Sequence, residues 1–188
     1  MKRPFLATAS VLVLAAAVRL LAADAPAPAA SGSPGELKFK AHNSVYKAEG
    51  VFAKWRVSKS TIPEGDITKG VVELEVDLAS VTEKSDKLAA HLRTPDFFDV
   101  AKFTTATITI SGAKPAGDKK YNATADIDLH GVKASTPVAF EVVSEKPLTI
   151  KGTATLDRGV FKIGEPYDAT NKYAPSNEVD ISLTAKLE

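Results

Sequence analysis

The sequence predicts an all-β domain: an antiparallel meander of about eight strands forming an apolar β-barrel under a short helical cap. Three features predict it. Apolar residues recur at every second position from Glu36 onward, the period of a half-buried strand. The runs are roughly ten residues long and joined by short turns, which favours antiparallel neighbours over helical crossovers. The alternation gives way in His91-Leu92-Arg93-Thr94-Pro95-Asp96-Phe97-Phe98-Asp99, where two adjacent phenylalanines, a proline and several charges crowd together.

The elements follow in order. Leu37, Phe39 and Ala41 alternate with Lys38, Lys40 and His42. Val51, Ala53, Trp55 and Val57 alternate with Lys54, Arg56 and Ser58, with Phe52 as the one exception. After a turn at Pro63 and Gly65, the series Val72, Leu74, Val76 and Leu78 gives the clearest strand, set against Glu73, Glu75 and Asp77. Leu88 and Leu92 share one face of a first helical piece. Thr94-Pro95 reads as the start of a second, the hydroxyl accepting an orphan N–H and the proline filling the first position. Ala106, Ile108 and Ile110 alternate with Thr105, Thr107 and Thr109, a soluble face that suits a strand. Residues 112–120 read as a polar turn, Tyr121 to Leu129 as the next strand, and His130-Gly131 as a tight turn. Val138, Phe140 and Val142 make another strand, and Leu148, Ile150, Gly152, Ala154 and Leu156 the one after. A Tyr- and Pro-bearing loop over 165–177 precedes the last strand, Val179, Ile181, Leu183, Ala185 and Leu187.

Eight strands make a barrel just wide enough to fill itself or to hold one small ligand. The face read as inward carries Ala41, Ala53, Ala106, Ala123, Ala125, Gly152, Ala154 and Ala185. So many small side chains fit an unfilled apolar interior, and equally two sandwich sheets in close approach.

Composition bounds the rest. The chain has 188 residues, 25% of them charged, a formal net charge of +1 and no cysteine. Lys2 and Arg3 precede an apolar run from Phe5 to Val18, and small residues follow at Ala22, Ala23 and Ala25, so residues 1–25 read as a secretory signal. The run is shorter than the roughly 20 apolar residues of a membrane span, so no permanent span is expected after cleavage. Cleavage would remove three cations and one anion and leave a slightly acidic chain, with no basic patch to attract nucleic acid. Without cysteine an exported domain relies on its core alone, and a lipoprotein anchor is excluded. Residues 26–35 read as an Ala/Pro/Ser-rich tether and 36–188 as the folded domain.

No catalytic or metal constellation is legible. His42, His91 and His130 have no ligand spacing, and there is no Gly-x-Ser-x-Gly elbow and no phosphate-binding glycine loop. Asp96 and Asp99 read as capping groups or partners of Arg93 rather than as an acid/base pair, so a non-enzyme without metal or cofactor is expected. Phe97 and Phe98 read as plugs that anchor the cap and would also bound a cavity beneath it.

The string HLRTPDFFDVAKFTTATI (91–108) resembles the hallmark of the YceI-like family, preceded as in that family by Ala79-Ser80-Val81-Thr82. Glu49-Gly50-Val51-Phe52, Leu129-His130-Gly131-Val132, and Arg158 with Phe161, Ile163 and Gly164 match further family marks in order. Two departures stand out: Lys133-Ala134-Ser135-Thr136 lengthens by two residues the turn before Pro137, and the 165–177 tract is unusual. The resemblance implies a lipocalin-like eight-stranded barrel, exported to the periplasm, whose pocket holds an amphiphilic polyisoprenoid such as an isoprenoid quinone or polyprenyl phosphate. On strand parity the lipid tail is then expected against Phe39, Trp55, Leu74, Val76, Ile108, Ala123, Ala125 and Ile127, and against Phe140, Ile150, Ala154, Ile181 and Leu183. Phe97 and Phe98 join this lining, with His91 and Arg93 as headgroup or cap residues. The competing readings are a protein-interaction module of the cell envelope and an enzyme acting on a quinone or prenyl substrate. Exposed edge strands would invite a homodimer, and a closed barrel would not.

Overall fold

The computed structural model describes residues 33–42, 47–164, 170 and 175–187; residues 1–25, expected as a signal, the expected tether up to residue 32 and most of the 165–174 tract lie outside them. Ten strands and one helix follow in order: β1 (Gly35–His42), β2 (Lys47–Phe52), β3 (Trp55–Thr61), β4 (Val71–Asp77), β5 (Val81–Glu83), α1 (Asp86–Leu92), β6 (Thr105–Gly117), β7 (Lys120–Leu129), β8 (Val132–Glu145), β9 (Leu148–Asp157) and β10 (Glu178–Leu187). All pairings are antiparallel, in the order β3-β4-β6-β7-β8-β9-β10-β1-β2-β5.

The ten segments occupy eight barrel positions. β2 and β3 are one run interrupted only at Ala53-Lys54, and β4 and β5 one run interrupted by a 3-10 turn over Leu78–Ser80. The two runs pair on both sides of the interruption, and across it Ala53 N–H donates to Ser80 O and Asp77 N–H to Lys54 O. The sheet thus returns on itself. β1 pairs with β10, joining the first and last strands.

The interruption accounts for Phe52. Phe52 and Trp55, three apart, both belong to the core, and Ala53 between them is exposed, contrary to the inward position expected for it. One extra residue at the bend moves the alternation to the other face. Gly50 fits here because a Cβ would stand 2.4 Å from the Phe39 ring and 2.5 Å from Thr82 O.

Other boundaries differ from the expectation. β6 runs on through 112–117 with two register irregularities, leaving only Asp118 and Lys119 as the turn before β7. Lys133 to Thr136 are strand residues of β8, because His130 (φ 54°) and Gly131 (φ 75°) already complete a two-residue hairpin. The folded part also begins before Glu36: Ser33 Oγ donates to Ala53 O at 2.8 Å and accepts from Trp55 N, and Pro34 O accepts from Lys186 N.

Candidate functional site

The cap is built from backbone bonds that aim two rings downward. Ser85 caps α1 by accepting from Leu88 N, and Ala89 and Leu92 form its buried face. Beyond it the chain makes successive turns rather than the second helix expected at Thr94-Pro95. The Thr94 hydroxyl donates to His91 O at 2.8 Å instead of capping, Phe98 N–H reaches Leu92 O, and Lys102 and Phe103 N–H both reach Asp99 O. Phe98 then meets Phe52 edge-on at 5.6 Å, and Phe52 meets Phe39 at 5.9 Å, an aromatic column under the cap.

His91 and Arg93 do not face the interior. His91 is exposed, its ring 4.9 Å from Phe97. Arg93 Nε donates to Ala79 O at 2.9 Å and Nη2 to Val81 O, so it fastens the cap to the bend between β4 and β5. The pairing with Asp96 or Asp99 expected for Arg93 is replaced by these carbonyls.

Beneath the cap lies a chamber of about 150 Å³, and below it a second of about 80 Å³. Leu37, Ile108, Ile127, Leu156 and Ile181 line both, so the two are consecutive parts of one lumen. A third space of about 30 Å³ continues below, sharing Ile110, Phe140 and Ile150 with the second. Of the residues expected inside, Phe39, Val76, Phe97 and Phe98 line the upper chamber, and Leu74, Ala125, Phe140, Ile150, Ala154 and Leu183 the lower. Ile108, Ile127 and Ile181 line both. Trp55 and Ala123 are buried but border neither chamber, so parity placed them in the core without bringing them to the lumen. Ala125, Gly152 and Ala154 leave the lower chamber unfilled, as a row of small inward residues should.

The turn after β9 contributes lining residues that strand parity could not supply. Phe161 and Ile163 are buried and line the upper chamber, as do Arg158 and Pro175. Arg158 is the one buried charged side chain among the described residues. Its Nε donates to Ser176 O, Nη1 to Ile163 O and Nη2 to Pro175 O, at 2.8–2.9 Å. Burial lowers its pKa, and Asp157 opposes the shift. Gly164 takes φ +73° where a Cβ would stand 3.0 Å from both Phe97 and Arg158, and His130 Nδ1 lies 3.1 Å from Phe161 O. The segments 91–99, 129–132 and 158–164, far apart in sequence, thus meet at one end of the barrel. Among the described residues no group of three His, Asp or Glu could hold a metal ion, and no helix is long and apolar enough to cross a membrane.

Fold and site together define an antiparallel barrel curled around an apolar lumen, roofed by a short helix and two phenylalanines. The chain belongs to the YceI-like family, whose domain profile matches residues 31–187. A UPF0312 protein of Vibrio vulnificus is 29% identical over 147 residues, covering 76% of this chain and 75% of that protein. Among solved structures, Burkholderia cenocepacia BcnA superposes with a TM-score of 0.73 at 21% identity, covering 82% of this chain and 96% of its own. A polyisoprenoid-binding domain from Saccharophagus degradans gives 0.57 at 18% identity, covering 82% and 93%. At these identities the structural likeness speaks for the fold.

Proposed function

We propose that this protein binds one amphiphilic polyisoprenoid, an isoprenoid quinone or polyprenyl phosphate, with its tail in the lumen, and carries it through the periplasm without reacting it. The observation that carries this reading is the pair of confluent chambers lined almost wholly by aliphatic and phenyl groups. The Saccharophagus domain of the same fold, described as polyisoprenoid-binding, supports the ligand class. The N-terminal apolar run ending in small residues supports export.

The energetics need no polar contact along the tail. Each CH₂ taken from water gains about 0.8 kcal/mol. The polar end then lies at the cap, beside Arg158, the one ionised side chain in the lining of either chamber. The chambers, about 150 and 80 Å³, are smaller than the roughly 300–1,000 Å³ of a typical ligand pocket, so a long tail widens the lumen as it is taken up. Native mass spectrometry of the protein purified from its own periplasm, with organic extraction, tests the reading. A stoichiometric isoprenoid supports it; an empty, folded protein that also refuses added quinones and polyprenyl phosphates refutes it.

A further inference from the structure

The ladder between β8 and β9 stops halfway along the strands. It runs from Glu145↔Leu148 to Ala139↔Thr153, leaving 132–138 of β8 and 154–157 of β9 without ladder partners in each other. The sequence supplies the reason. In the two-residue hairpin at His130-Gly131, Leu129 and Val132 form the first hydrogen-bonded pair, so even-numbered β8 residues send their N–H toward β7. Val142 N–H reaching Lys119 O agrees with this. Odd-numbered residues therefore face β9, and the one in register with Thr155 is Pro137, which has no N–H to give. The Thr155 carbonyl instead accepts the hydroxyl of Thr136, at 3.1 Å.

The lower chamber reaches this break. Its lining joins the buried Leu74 and Ala125 to Ala139 and Thr153, which are exposed on the outside of the barrel, so the cavity passes through the wall. Nearer the cap the break is covered. Phe161 and Ile163 of the 158–164 turn cluster with Val132 and Ala134 of β8 and Leu156 of β9. Arg158 and His130 hold that turn by the carbonyls of Ile163 and Phe161.

We propose that the slit between β8 and β9 is the route by which the apolar chain enters and leaves, with the 158–164 turn as its movable cover. This rests on the binding function proposed above. Opening the slit breaks the Thr136–Thr155 hydrogen bond and, as the turn lifts, the His130–Phe161 contact, whereas parting any fully paired neighbours breaks a whole ladder. Sideways passage also keeps the polar end at the cap while the tail slides in, so the tail need not thread end-on through the phenylalanines.

The test uses a Pro137→Cys/Thr155→Cys double variant of a chain that has no other cysteine, with a dansylated geranylgeranyl chain as the probe in stopped-flow fluorescence. Oxidation should slow uptake and release together by about tenfold or more, leave Kd nearly unchanged, and be reversed by reductant. Pro137→Val, which restores the missing N–H without a cross-link, should slow exchange in the same direction and decides the matter where the cysteines do not join. Rates that are unchanged in variants that bind the probe overturn the lateral route alone. A native protein that does not bind the probe overturns the binding function and this route with it.

Discussion

Gly50 answers to a ring rather than to a turn, since the Phe39 side chain and the Thr82 carbonyl occupy the space a methyl would need. Gly50→Ala should therefore cost about 1–3 kcal/mol, the usual penalty of overpacking. A fall in the urea midpoint at constant slope would show it, and an unchanged midpoint would mean that β2 yields freely. Arg158→Met keeps the stem and removes the donors to three carbonyls. It should destabilise by about 2–4 kcal/mol, because buried acceptors are left without partners, and should loosen the 158–164 turn. Two carboxyls carry a signed pH dependence. A hydrogen bond from Lys40 holds Glu49 below its usual range, and the Thr68 hydroxyl, followed by Lys69, does the same for Asp66. With folded pKa values below the unfolded ones, their stabilisation is complete above the ordinary carboxylate range and is lost as pH falls through the lowered folded values. Carboxyl titration by NMR should give midpoints under the ordinary 4.5 and 3.8; midpoints at or above them would contradict the contacts.

At the scale of elements, strand parity was legible wherever a strand runs unbroken, as along β4, β7 and β9. It failed at the bend between β2 and β3, where one inserted residue exchanges the faces and brings Phe52 inward with Trp55. β8 shows the opposite case: Lys133 to Thr136 look like a lengthened turn, yet two added residues extend a strand by one pair and preserve its alternation, so Val138 and Phe140 still face the lumen. A clear measurement follows for this strand. In hydrogen exchange the N–H groups of Lys133 and Ser135, facing the slit, should exchange quickly, while those of Ala134 and Thr136, bonded to β7, should be protected. Uniform protection of the four would mean that the β8–β9 ladder is complete. Ala154 lines the lower chamber and is only half-buried. Ala154→Leu should leave the melting temperature nearly unchanged, because it fills an existing space, while weakening binding of a geranylgeranyl chain about tenfold in a fluorescence titration. Equal affinity would place the tail elsewhere.

For the whole molecule, the sequence carried the class of fold because period-two patterning is local, and it carried most of the lumen because inward parity is local too. It could not carry closure. That depends on β2–β3 and β4–β5 bending at matched points and on β1 meeting β10 from the far end of the chain. Nor could it show that Arg93 and Arg158 would both be spent on backbone carbonyls, which requires the cap and the post-β9 turn to be in place. The central claim, that the lumen holds an apolar chain, is tested most directly by methyl NMR on stoichiometric addition of geranylgeraniol. Ile108, Ile127 and Ile181, which line both chambers, should shift together, while the exposed Val143 should not. Shifts confined to exposed methyls such as those of Val143, with the three isoleucines unmoved, would contradict it.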